Sequence, residues 1–132
     1  MEKRVDSRYH SEVVNTLIKR FLQKFRPAPK NVIVVGTDYP SYQLGSLIQA
    51  ESALHLAFFM NEEPWHHRTF ILGTELRYSS ELLSLVEKHQ AKAVCCVTEA
   101  DFTDYQQRFS HALSQLNCKL VLSDDGNLPA LD

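Results

Sequence analysis

Glycine is scarce in this sequence, with four residues in 132, and that count alone excludes collagen-like and glycine-rich low-complexity classes. Cysteine is equally sparse. The three cysteines show no C-x-x-C spacing and so carry no zinc or redox signature. Cys95 and Cys96 are adjacent in an apolar run, and neighbouring residues of a strand point to opposite faces, which suits neither one shared metal nor an ordinary disulfide. Buried, inert thiols and a reducing compartment, the cytoplasm, are the expectation. No apolar run approaches the ~20 residues that span a bilayer. The first residues, with Arg4 and Arg8 on a polar face, lack the short apolar core of a signal peptide.

What is present describes an ordinary globular domain. Hydrophobic residues make up 44% of the chain and charged residues 23%, and a single domain of this size buries roughly two-thirds of its unfolded surface. Charge is unevenly divided. Residues 1–30 hold eight Lys/Arg and three Asp/Glu, a balance of +5, and residues 31–132 hold six and thirteen, a balance of −7. The basic residues alternate with an apolar stripe, so they read as the solvated face of an amphipathic helix rather than as a nucleic-acid or membrane patch.

That stripe is Val5, Tyr9, Val13, Leu17, Phe21 and Phe25, flanked by Val14, Ile18 and Leu22. It predicts a helix from about Asp6 to Phe25, stopped by Arg26-Pro27-Ala28-Pro29. Beyond it, strand-like runs alternate with helix-like runs. The strands are Val32–Val35, Leu54–Met60, Thr69–Leu72, Ala93–Val97 and Lys119–Leu122. The helices are Ser41–Glu51, Ser80–His89 and Phe102–Leu116, with Ser41, Ser79 or Ser80, and Asp101 or Thr103 as candidate caps. Only the link from Met60 to Thr69 lacks a helix. This alternation predicts βαβ units with right-handed crossovers and a mostly parallel sheet.

Such a sheet binds ligands beyond the C-terminal ends of its strands, where strand order reverses. That edge carries Gly36-Thr37-Asp38-Tyr39-Pro40-Ser41 and then Asn61-Glu62-Glu63. On the dinucleotide frame G-x-G-x-x-G, Gly36 takes the first position, Asp38 the second and Ser41 the third. Serine is a small substitute. Aspartate is not, because it fills the space a phosphate would enter and brings a like charge. Pro40 removes one N–H near the helix start. A pyrophosphate held in the usual manner is therefore disfavoured, and NAD(P) or another nucleotide is expected to bind weakly.

The runs "NVIVVGTDYPSYQL" and "LHLAFFMNEEPWHHRTFILGTEL" resemble the Rossmann-like nucleotide-binding (CoA-binding-like) domain of bacterial polysaccharide-biosynthesis proteins, found in nucleoside-diphosphate-sugar dehydratases and sugar-phosphate transferases. Gly36, Gln43-Leu44, Asn61-Glu62-Glu63-Pro64 and Ile71-Leu72-Gly73 fall at the matching places, and "ELLSLVEKHQAKAVCCVT" resembles the helix and strand that follow. The likeness covers about Asn31 to Asp124. It implies a nucleotide- or sugar-nucleotide-binding module; together with their places at the ligand edge, this makes Gly36, Thr37, Asp38, Ser41, Asn61, Glu62, Arg68 and Thr98 the candidate ligand-contacting residues. The departures are Asp38 and Ser41 in place of glycines, and Asn61 in place of the acid that grips a ribose hydroxyl.

Other constellations are weaker. His66 and His67 are adjacent, and with His55 they lack a familiar metal-ligand spacing. They read as a polar loop in which Arg68 is able to meet an anionic group, while Trp65 either covers a base or caps the core. No G-x-S-x-G elbow occurs, and none of the tyrosines has a Lys four residues on. Thr74, Glu75, Thr98 and Glu99 also lie on the presumed ligand edge.

The fold expected is thus α/β: a Rossmann-like, doubly wound, parallel five-stranded sheet of order 3-2-1-4-5 with an added N-terminal amphipathic helix. Residues 1–30 form the helix and proline linker, 31–124 the nucleotide-binding-like domain, and 125–132 a tail. The function expected is a non-catalytic, regulatory binding module tied to surface polysaccharide synthesis. The alternatives are a component of an NAD(P)-dependent dehydratase or epimerase, and a pure interaction module with a vestigial ligand edge. A homodimer through the N-terminal helix is expected, with no nucleic-acid partner, no metal and no transmembrane segment.

Overall fold

The structure, a computed structural model, describes residues 13–18 and 28–131. Residues 13–18 are helical (α1), as the stripe predicts; the remainder of that expected helix and its stop at Pro27 lie outside the described residues. The order that follows is β1 (Lys30–Val35), α2 (Tyr39–Ala50), β2 (Leu54–Met60), β3 (Phe70–Ile71), β4 (Thr74–Arg77), α3 (Leu82–His89), β5 (Ala93–Cys96), α4 (Glu99–Gln115) and β6 (Lys119–Leu122). Single turns of tighter helix occupy Pro64–His66 and Ser79–Glu81.

The strands form one six-stranded sheet in the order β3-β4-β2-β1-β5-β6. Every pairing is parallel except β3 with β4. The sheet is mostly parallel, as expected, but the expected five strands in the order 3-2-1-4-5 are corrected to six. The run "TFILGTEL" is a hairpin rather than one strand. Leu72 and Gly73 both take positive φ (54° and 70°), the two-residue turn whose twist matches paired strands. Its second arm, β4, takes the place beside β2, and β3 is pushed to the edge. Leucine at positive φ is disfavoured by roughly 1–2 kcal/mol, which is why Leu-Gly carries no turn signal of the Asn-Gly kind.

β1 is central. Val32 to Val35 are all buried, so apolar side chains are required on both faces. Val32, Val34, Leu56, Phe59, Ala93, Cys95 and Val97 form the core under α2. Ile33, Val35, Phe58, Met60, Val94 and Cys96 form the core under α3 and α4 with Leu82, Val86 and Leu113. Ala57 is an extra residue in β2: Val32 pairs with Leu56 and Ile33 with Phe58. This bulge puts Leu56 and Phe59, three apart, on the same face. The segment after β6 returns along the sheet, so Leu131 packs on the α2-side core and its carbonyl accepts a hydrogen bond from Lys30 Nζ at 3.3 Å.

α2 lies close on β2 because Gly45 faces it. A Cβ at that position would stand 2.7 Å from Phe59 Cζ and 3.3 Å from Leu56 Cδ2. Phe59 is fully buried and has no room to yield. Gly45→Val is therefore expected to destabilise the domain by about 2 kcal/mol through overpacking, read as a lower midpoint of urea unfolding with unchanged slope.

Candidate functional site

Strand order reverses between β1 and β5, which opens a crevice at their C-terminal ends. Gly36 makes the turn out of β1 at φ +91°, and its N–H donates to Met60 O at 2.8 Å. A Cβ there would meet Ser41 Oγ at 2.9 Å, so glycine is demanded by both backbone and space. Ser41 is buried and its hydroxyl donates to Val35 O at 3.0 Å. It therefore locks the turn from beneath and does not cap the helix, as the sequence had suggested. The N-cap is Asp38, which makes no side-chain cap hydrogen bond, and Pro40 sits in the first turn without an N–H. The close helix–strand approach that the third glycine of the dinucleotide frame provides comes one turn later, at Gly45.

The second strand closes the crevice on one side. Asn61 Nδ2 donates to Thr37 Oγ1 at 2.8 Å, tying the ends of β1 and β2. Asn61 Oδ1 accepts from the Glu63 N–H at 2.8 Å. Glu62 turns away and accepts from the Ser79 N–H at 2.8 Å. On the other side Thr98, not Asp101 or Thr103, caps α4, accepting from the Asp101 N–H at 3.2 Å. A free hydroxyl in extended backbone wins here, and Glu99 and Asp101 then sit in the first turn, where the helix dipole favours acids. Asp101 leans toward the turn, with Oδ2 3.9 Å from the position a Gly36 Cβ would take.

The crevice thus lies between the Gly36–Thr37–Asp38 turn, Asn61 at the end of β2 and Thr98 ahead of α4, with Ser41 buried beneath the turn, and Asp38, Glu99 and Asp101 stand on the loops around it. Arg68 is on the same edge but on the β3 side, three strand spacings or roughly 14 Å from β1. Its Nε lies 3.8 Å from Glu75. Arg77 joins Glu75 at 2.8 Å and Glu81 at 2.9 Å. The lysines of the sheet lie at the opposite edge: Lys30 opens β1, Lys92 precedes β5 and Lys119 opens β6. Of the eight residues singled out from the sequence, Gly36, Thr37, Asp38, Asn61 and Thr98 stand at the strand ends around the crevice and Ser41 is buried beneath the turn, while Glu62 bonds the turn before α3 and Arg68 lies beside Glu75 of β4.

Beside the crevice a cleft of about 700 Å³ runs along the flank of α2. Tyr39, Tyr42 and Leu47 line one wall, Val97 the floor, and Asp124 and Asp125 the other wall. Sequence reading missed it because the residues after β6 look like a tail. Two tyrosines three apart on the outer face of a helix, both exposed, are the signal that marked it.

The remaining candidates resolve into structure. Trp65 is 72% exposed, so it does not cap the core. His66 pairs with Glu63 at 3.0 Å. His67 stacks on Tyr78 with centroids 3.9 Å apart and meets Glu81 at 3.2 Å. Among the described residues no group of three His, Cys, Asp or Glu side chains is placed to hold a metal ion. The three cysteines are free and buried; burial pushes Cys95 and Cys96 up to about 12 and Cys118 to about 11, so none is a thiolate at neutral pH. Among the described residues no helix is long and apolar enough to cross a membrane.

Glu81 anchors the arginine cluster. Burial alone would raise its pKa, but hydrogen bonds from Arg77, His67 and the Tyr78 N–H, with the Arg77 charge, outweigh it and bring the carboxyl from 4.5 to about 2. A carboxyl depressed in the folded state contributes stability above its unfolded pKa and loses it as pH falls. Stability is therefore expected to drop between pH 4.5 and 2, and Glu81→Gln should flatten that part of a Tm–pH profile.

No family model matches the sequence, and no curated protein matches it. Solved structures do. UDP-D-quinovosamine 4-dehydrogenase from Vibrio fischeri aligns at TM-score 0.62 and 20% identity, over 80% of this chain and 95% of that one. RSP, a Rex-family repressor, aligns in complex with β-NADH at TM-score 0.59 and 14% identity. That match covers 92% of this chain and 57% of the repressor, so the chain spans little more than half the repressor's length. The same repressor bound to β-NAD+ and operator DNA aligns at TM-score 0.57. At these identities the likeness establishes the fold alone, and the fold is Rossmann-like.

Proposed function

We propose that this chain is a non-catalytic nucleotide- or sugar-nucleotide-binding module, with its ligand held at the crevice between β1 and β5. The observation that carries this reading is the turn at Gly36 together with the Asn61–Thr37 hydrogen bond, which ties the ends of β1 and β2 beside the strand-order reversal. Both structural neighbours support it by name, one as a UDP-sugar dehydrogenase and one as a repressor complexed with β-NADH.

The chemistry of the walls narrows the ligand. Asp38, Glu99 and Asp101 repel a diphosphate, while carboxylate and amide oxygens accept hydrogen bonds from sugar hydroxyls. The hydroxyl-rich end of the ligand therefore faces the acids and any phosphate projects outward. A regulatory role in surface polysaccharide synthesis, suggested by the sequence resemblance and by the UDP-sugar neighbour, fits a site that binds without reacting. Catalysis has little support. No tyrosine has a Lys four residues on, and Tyr105, the buried tyrosine near this edge, has its pKa raised by burial and by Glu62.

NAD(H) and NADP(H) are expected to bind more weakly than micromolar in isothermal calorimetry, and a thermal-shift screen of nucleotides and sugar nucleotides is expected to favour ligands rich in hydroxyls. Asp38→Gly removes one like charge from the phosphate path. A unit-charge contact at 4 Å in water is worth about 1 kcal/mol, so the substitution should tighten dinucleotide binding roughly fivefold. Micromolar binding of NAD(H) by the wild type, or weaker binding by Asp38→Gly, would contradict this account of the loop.

A further inference from the structure

Helix α1 carries an exposed apolar stripe, the cleft along α2 is lined by apolar and polar side chains together, and among the described residues the two do not meet. Val13, Val14, Leu17 and Ile18 lie at i, i+1, i+4 and i+5, one stripe of a helix, and they are between 37% and 57% exposed. None of them lines the cleft. The cleft follows α2 from Tyr39 to Leu47, roughly 12 Å or about two helical turns, with Leu44 and Val97 at its base, Tyr42 and Leu47 on one wall and Asp124 and Asp125 on the other.

We propose that this cleft is the docking site for helix α1 of a second copy of the chain. Charge identifies the occupant. The cleft wall carries Asp124 and Asp125, and no Lys or Arg is among the described residues lining it. Residues 1–29, which contain α1 and precede β1, hold seven Lys/Arg and three Asp/Glu, a balance of +4, and residues 30–132 hold seven and thirteen, a balance of −6. Two N-terminal segments packed on each other would set +4 against +4. One segment laid on the body of the other copy sets +4 against −6 instead. Reciprocal exchange of the two helices makes a closed two-fold pair, buries the stripe of each copy in the cleft of the other and leaves no open surface for further growth. This association requires no ligand, so it stands or falls separately from the binding role of the crevice.

Sedimentation equilibrium of the full chain without ligand tests it, using Leu17→Glu in the helix, and Leu47→Glu and Tyr42→Glu in the cleft. All three positions are exposed, so the substitutions should leave the circular dichroism of the folded domain unchanged. The wild type is expected to be a dimer that weakens as salt is raised, because exposed charges are screened. Each variant alone is expected to be monomeric. A mixture of Leu17→Glu with Leu47→Glu should recover a weaker dimer, since the pair retains one intact helix–cleft contact. A monomeric wild type would overturn the proposal. So would a dimer lost on Leu17→Glu but retained in both folded cleft variants, which would place the helix on some other surface.

Discussion

The structure depends on one strand. β1 pairs in parallel with β2 on one side and β5 on the other, and Val32 to Val35 are packed against helices on both faces. No other strand supports both halves of the sheet. Because the connections after β1 and after β5 leave to opposite faces of the sheet, the end of β1 is where the chain must turn sharply without filling the crevice, and Gly36 makes that turn. A side chain at Gly36 would meet Ser41 Oγ, which itself holds Val35 O, so the end of the strand, the turn and the start of α2 form one packed unit. Gly45 then sets the height of α2 above β2.

The same unit determines what the site is able to hold. Ser41 occupies the place of a glycine by turning its hydroxyl inward, which preserves the turn. Asp38 stands in the turn itself and Asp101 leans toward Gly36 from α4, and Arg68 and Arg77 on that edge are engaged by Glu75 and Glu81. Stability and function pull apart here. The Arg77–Glu81–His67 cluster ties β4 to the turn before α3, and in doing so withholds from the crevice the cations that a diphosphate would need. Electrostatically the sheet has an acidic ligand edge and a lysine-bearing opposite edge, which favours neutral, hydroxyl-rich groups over free phosphate at the crevice.

Much of the fold was legible in the sequence for plain reasons. "NVIVVG" is too uniformly β-branched and apolar to be anything but a buried strand, and the alternation of strand and helix runs fixes a largely parallel sheet. The hairpin was not legible, because Leu72 adopts a positive φ that its side chain disfavours and tertiary pairing with β2 enforces. The helix starts slipped by two or three residues, because Thr98 caps α4 ahead of Asp101 and Asp38 begins α2 without a side-chain cap. At the site, the run from Gly36 to Ser41 with Asn61 and Thr98 could be placed from strand ends alone. Glu62 and Arg68 could not, since their partners, the Ser79 N–H in the turn before α3 and Glu75 in β4, belong to elements whose position the sequence did not give. The cleft was hidden for a related reason: "SDDGNLPALD" carries no periodicity, yet Leu131 folds it back along the sheet.

The central claim is that a nucleotide or sugar nucleotide sits at the end of β1. Amide chemical shifts measured during titration with a UDP-sugar address it residue by residue. The account predicts saturable shifts concentrated at Thr37, Asp38, Asn61 and Thr98, with Arg68 and the Lys30–Lys92–Lys119 edge unchanged. Shifts that cluster on the lysine edge, or none at the crevice up to saturating ligand, would contradict it.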